Sequence, residues 1–200
     1  LAQKTDAEVR ITFVGHSTFL IESPGGISIA TDYNDYVRPA EPPTVVTMNK
    51  AHNSHYTDFP SPQIKHVLRG WNPSGEGPAR HDIQIGDVRV RNVPTNIRNW
   101  GGGTELYGNS IFVFEVAGLC IAHLGHLHHT LTAAHFKQMG RIDVLLVPVD
   151  GGYTLDLEGM SEVVQKLYSR LAIPMHYFGP STLQRFLDAI ELDQGRRHVV

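Results

Sequence analysis

Apolar and polar positions alternate with a period of two at the start of the chain, which is the pattern of half-buried strands. Residues 9–14 (VRITFV) and 18–21 (TFLI) predict two strands broken at Gly15, and 27–30 (ISIA) a third beyond the Ser23-Pro24-Gly25-Gly26 turn. Residues 34–43 form a proline-bearing loop, and 44–48 (TVVTM) is a continuous apolar run, as expected of a strand buried on both faces. Residues 59–82 are rich in Pro, Gly and Ser and predict a loop with one short strand at 66–68. Further strands are predicted at 87–93, 110–116, 118–124 and 142–148, the first two separated by the Gly101-Gly102-Gly103 run. Three helices follow from local signals. One is capped by Thr132 and closed by Gly140, one spans 160–171 and stops ahead of Pro174, and one spans 181–190. A short strand end is expected at 174–177.

Strands come first and then alternate with helices, so the expected architecture is α/β or α+β, with helices layered on sheets. A length of 200 residues suits one domain, residues 1–200, with room for a sizeable core. Composition adds exclusions. Apolar residues at 41% and charged residues at 18% are those of a folded globule. A net charge of −3 offers nothing to a polyanion, so no nucleic-acid partner is expected. No apolar run approaches the roughly 18 residues of a membrane helix, so no membrane partner is expected either. Cys120 stands alone in an apolar run and reads as a small buried hydrophobe. The start at Leu1 fits either a mature end left by a removed secretory signal or a trimmed edge, which leaves a bacterial cytoplasm or periplasm open.

Histidine changes the picture. There are 12, and several follow apolar strands: His52 and His55 after 44–48, His126, His128 and His129 after 118–124, and His176 after 172–174. Loops at one edge of a sheet can be aimed at one point, and neutral imidazole is a common ligand of transition metals. Three imidazoles on separate strands fit a catalytic zinc with one open position. Spacing alone favours surface or hydrogen-bonded histidines over a metal site.

A resemblance decides between them. The segment 11–22 (ITFVGHSTFLIE) resembles the opening of metallo-β-lactamase-fold hydrolases, particularly their lactonase-like branch. Val45-Val46-Thr47 resembles the strand before the His-x-His-x-Asp-His motif of that family. IAHLGHLHHTLT (121–132), IDVLLVPVDGGYTLD (142–156) and IPMHY (173–177) resemble its later segments, in order. The resemblance implies a four-layer αββα sandwich. The metal motif departs from the pattern: Lys50 stands at the first histidine, Ser54 at the aspartate, Ile97 at another histidine ligand, and His126 at the bridging aspartate. His52, His55 and His176 are retained.

The resemblance, with these departures, implies one divalent metal, zinc in the first instance with manganese or iron as alternatives, held by His55, His126 and His176 with His52 beside them. Catalytic roles fall to His52 and His129 as proton carriers and to Lys50 as a cation for developing negative charge. Asp32 and Asp150 are candidates to orient histidines, His16 and His123 to support the site, and Trp71, Trp100 and Tyr177 to wall the substrate. The implied activity is metal-dependent hydrolysis of an ester, lactone or phosphodiester of a small-molecule substrate. The alternative is a non-catalytic binding or metal-sequestering protein on the same fold.

Overall fold

The computed structural model describes residues 8–99, 101–191 and 198–199. The alternating N-terminal segments form β1 (Arg10–Gly15), β2 (Thr18–Glu22) and β3 (Ser28–Ala30), paired antiparallel as a meander. β4 (Val45–Met48) and β5 (His66–Arg69) add parallel strands, which gives a five-stranded sheet in the order β1-β2-β3-β4-β5. A second, seven-stranded sheet holds β6 (Asp82–Ile85), β7 (Val88–Arg98), β8 (Thr104–Val116), β9 (Leu119–His123), β10 (Val144–Pro148), β11 (Leu171–Met175) and β12 (His198–Val199). Its strands are antiparallel from β6 to β9 and parallel from β9 to β12.

Side-chain alternation decides the layers. Along β8, Phe112, Phe114 and Val116 face the first sheet and pack on Phe19, Ile21, Ile29 and Val45. The intervening Ile111 and Val113 face the other way, onto α1 (Ala133–Met139), α2 (Leu157–Leu167) and α3 (Pro180–Glu191) through Met139, Met160, Val163, Val164 and Phe186. Phe112 and Phe114 are wholly buried, each contributing about 1.5–3 kcal/mol by transfer from water. The result is the expected α+β sandwich of two sheets. The three helices among the described residues contribute to the core on the outer face of the seven-stranded sheet. The outer face of the five-stranded sheet packs Tyr33, Val46, Met48 and Ile64 against Tyr56 and Trp71, so the described part of the fourth layer is loop rather than helix.

Three boundaries differ from the sequence reading. β7 and β8 run on to Arg98 and Thr104, pairing as one long hairpin, and β6 lies beside them at the end of the predicted loop. α2 begins at Leu157 because Asp156 caps it, its side chain accepting the Gly159 N–H. It ends where Tyr168 turns left-handed at φ 50°, and Asp143 O then accepts the N–H groups of Arg170 and Leu171. The chain therefore enters β11 at Leu171, where helix was expected.

Candidate metal centre

The loops that follow β3, β4, β9, β10 and β11, together with the β1–β2 turn, deliver histidines and carboxylates to one place. Rings of His55, His126 and His176 lie with centroids 4.7–5.2 Å apart, and His16 is 4.1 Å from His176. His16, His55 and His176 each offer a ligand atom within 4.8 Å of the others. Three non-glycine residues here adopt left-handed backbone, His16 (φ 52°), Asp32 (φ 42°) and His176 (φ 54°), a conformation that costs free energy and concentrates at functional sites. A backbone hydrogen bond from His176 N to His16 O, 2.8 Å, ties the end of β11 to the β1–β2 turn.

Two histidines are backed by buried carboxylates. His55 Nδ1 lies 2.6 Å from Asp32 Oδ2, and His176 Nδ1 lies 3.0 Å from Asp150 Oδ2. The second contact is the less linear, since His176 Nδ1 lacks a well-directed hydrogen-bond partner. In each case the carboxylate demands the Nδ1 proton and leaves Nε2 as a lone pair. The two Nε2 atoms face one another at 3.2 Å. Two lone pairs at that distance repel, and a cation between them removes the repulsion. Tetrahedral zinc with Zn–N bonds of 2.0–2.1 Å has an N···N edge of about 3.3–3.4 Å, so these side chains fit a metal without rearrangement.

Further contacts hold the carboxylates. Asn49 donates Nδ2–H to Asp32 Oδ1 and accepts Ser110 N–H at Oδ1. Burial by itself would raise the pKa of Asp32, but His55 and His123 and the hydrogen bonds from His55 and Asn49 hold it below the usual carboxylate range. Asp150 accepts the N–H groups of Gly152, Tyr153 and Thr154 and the Thr154 hydroxyl. Burial opposes its ionisation as well, and contacts with His176, Thr154 and Gly152 override it and lower the pKa. Burial, then His176 and His55, pushes His16 down to about 4. Burial likewise lowers His52 and His126, so these imidazoles, with His16, are neutral near pH 7.

A family model described as the Beta-lactamase superfamily domain matches residues 10–176. The chain belongs to the metallo-β-lactamase superfamily. A Thermotoga maritima chain described as a Zn-dependent hydrolase of that superfamily aligns at 30% identity with a TM-score of 0.71, covering 96% of this chain and 97% of its own. A UPF0173 protein of Pyrococcus furiosus is 25% identical over 184 residues, spanning 84% of this chain and 83% of the relative. A UPF0173 metal-dependent hydrolase of Thermoplasma acidophilum is 32% identical over 108 residues, 53% of this chain and 44% of the relative.

On this metallo-β-lactamase scaffold the expected residues fall into groups. His55, His126 and His176 converge, and His52 stands at the edge of the cluster, half-buried, 4.8 Å from the His126 ring. His123 is wholly buried, its Nε2 bonded to Ser17 O, which braces the β1–β2 turn. Two expected residues are held by partners outside the cluster. Lys50 is turned to Glu105 on the neighbouring hairpin, Nζ to Oε1 2.5 Å, so its charge is already paired at the surface. His129 has both ring nitrogens committed, Nε2 accepting Asn96 N–H and Nδ1 donating to Thr130 O, and so fastens a loop to β7. Trp71 packs with Tyr56 away from the histidines, Tyr177 packs into the helix-side core, and Trp100 lies outside the described residues. The aromatic residues beside the centre are Phe178, 5.5 Å from His176 and 5.9 Å from His16, and Tyr153, 6.4 Å from His52. They contact each other at 5.5 Å and are 65% and 64% exposed.

Sequence reading passed over Asn49, Asn109, Arg98, Tyr153 and Phe178. Only Asn49, directly after an apolar strand, carried a local signal. The others meet partners distant in the chain, Phe178 touching His16 and Tyr153 as well as the nearby His176.

Proposed function

We propose that this metallo-β-lactamase relative is a metal-dependent hydrolase using a single divalent metal, zinc by the all-imidazole chemistry of its ligands, and acting on an ester or lactone of a small molecule. His55 and His176 are the principal ligands through Nε2, and His16 is the third imidazole. The observation that carries this reading is the 3.2 Å approach of the Nε2 atoms of two imidazoles, each with a buried carboxylate beside its Nδ1. Asp32 and Asp150 also offset the charge of a dication, since buried charges persist only when compensated.

One metal rather than two follows from the altered motif. Ile97 is a buried apolar side chain where the resemblance implies a histidine, and Lys50, turned to Glu105, stands where another ligand is implied and supplies none. The metal supplies Lewis acidity and lowers the pKa of water toward neutrality. The chain's own groups do the rest. Asp32 and Asp150 fix the orientation of His55 and His176. His52, half-buried with a lowered pKa, is placed to carry a proton at the edge of the cluster. Phe178 and Tyr153 give the mouth of the centre an apolar wall, which suits an uncharged acyl group better than a phosphodiester.

Elemental analysis of the purified protein, with turnover of p-nitrophenyl butyrate, a γ-lactone and bis-p-nitrophenyl phosphate, tests the reading. One metal per chain with turnover of the ester or lactone is expected. A folded chain that takes up no metal and turns over none of the three would leave the non-catalytic alternative standing.

A further inference from the structure

His126 is expected from its position to be a ligand, and the hydrogen bonds around it assign another role. Its Nδ1 is paired with His128 Nε2. His128 Nδ1 in turn lies 3.1 Å from the backbone N–H of Arg98 and 3.0 Å from Arg98 Nε–H. Both Arg98 groups are donors under all ordinary conditions, so His128 Nδ1 must be a lone pair. A protonated His128 would put N–H against N–H there, so the ring is neutral and its single proton sits on Nε2. That proton is donated to His126 Nδ1, which is therefore also a lone pair. The proton of His126 is left on Nε2.

His126 Nε2 is buried and has no hydrogen-bond partner among the described residues. Its ring is wholly buried, and its neighbours are His52, His55 and His176 at 4.8, 4.7 and 4.9 Å. An N–H cannot bind a metal, and a buried unpaired donor is unfavourable until an acceptor arrives. The arrangement is locked from behind. Arg98 Nη2 donates to the carbonyls of Gly152, Tyr153 and Thr154, so the guanidinium cannot swing away without breaking the loop that carries Asp150. The His126 backbone is held too, its N–H donating to Asn109 Oδ1.

We propose that His126 is a hydrogen-bond donor to the substrate oxygen that develops negative charge, held in its Nε2–H form by a relay from Arg98 through His128, and is not a metal ligand. This rests on the reading of His55 and His176 as ligands. It replaces the aspartate of the superfamily pattern, an acceptor and ligand, with a donor. His126 is then a catalytic residue, and His128 and Arg98 are positioning residues.

Two measurements test it. The first is the ring 15N NMR signature of His126 in the metal-free protein, where a protonated Nε2 and an unprotonated Nδ1 are expected. Arg98→Met should blur this signature into a mixture of tautomers, an effect that loss of packing alone would not produce. An unprotonated Nε2 in the native protein overturns the relay, whether or not the protein turns over any ester. The second is zinc affinity beside turnover of p-nitrophenyl butyrate. His126→Ala should keep one zinc with affinity within a few-fold of native and lose roughly 10²–10³-fold in kcat, the usual cost of removing one such donor. His126→Gln, which can still donate, should recover part of it. His176→Ala should lose the zinc. If His126→Ala releases zinc as His176→Ala does, or keeps native kcat, the inference fails. If native protein binds no zinc, the ligand reading fails while the NMR test of the relay still stands.

Discussion

His55 and His176 present their Nε2 atoms to each other across 3.2 Å, although 121 positions separate them in the chain. Neither nitrogen can relieve the contact by taking the ring proton, because Asp32 and Asp150 hold it at the far nitrogen of each ring. The pair is preorganised for a cation, and most of what this protein is expected to do follows from it.

The carboxylates are predicted to matter nearly as much as the ligands. Asp32→Asn and Asp150→Asn should each weaken zinc binding by roughly 10–100-fold, the usual penalty for loss of a partner that orients a ligand. Competition against a chromogenic chelator measures this. Native affinity in both variants would break the link between carboxylate and ligand geometry.

Gly125 turns the chain between His123 and His126 at φ 62°, and a Cβ there would come within 2.4 Å of Asn109 Oδ1 and of Asn49 Nδ2. Those amides hold His126 and Asp32. Gly125→Ala should therefore cost about 2–4 kcal/mol of stability, read by urea denaturation, through strain and through displacement of a buried polar network. A loss below about 0.5 kcal/mol, the range of an indifferent surface substitution, would show that the network gives way easily.

Acid should destabilise the metal-free protein in a defined window. Burial leads in lowering both His16 and His128 to about 4, helped by His176 for the first and Arg98 for the second. The unfolded chain therefore binds more protons than the folded one between about pH 6.5 and 4. The stability due to these groups is complete above pH 6.5 and is lost as pH falls through that interval. Denaturation midpoints of the metal-free protein at stepped pH should fall there, and less steeply in His128→Asn. A flat profile would mean that these histidines titrate alike in both states.

The exposed aromatic wall is predicted to act on substrate and hardly on metal. Phe178→Ala and Tyr153→Ala should each lower kcat/KM for p-nitrophenyl butyrate by roughly 2–10-fold, corresponding to about 0.5–1.5 kcal/mol of aromatic contact. Zinc content should stay at one per chain. Unchanged kcat/KM in both would remove these residues from the substrate's path.

Much of the fold was legible in the chain because its signals are local. Alternation marked β1 and β2, continuous apolar runs marked β4 and β10, and Thr132 with Gly140 marked the ends of α1. Where tertiary contacts rule, the reading slipped. β6 and the outer half of the β7–β8 hairpin are made by pairing, and the α2 boundary was moved by the Asp156 cap and by the hold of Asp143 O on residues 170 and 171.

The same division runs through the site. The sequence by itself determined which residue types stand at the strand ends, and that a histidine, His126, stands where the resemblance implies the bridging carboxylate, because strand ends and residue chemistry are properties of short segments. Only the tertiary structure decided what surrounds them. It turned Lys50 to Glu105, tied both nitrogens of His129 to backbone, brought His16 beside His176, and set Arg98 behind His128. An imidazole is a ligand, an acceptor or a donor according to where its one proton lies, and that proton is placed by partners brought close only when the chain folds.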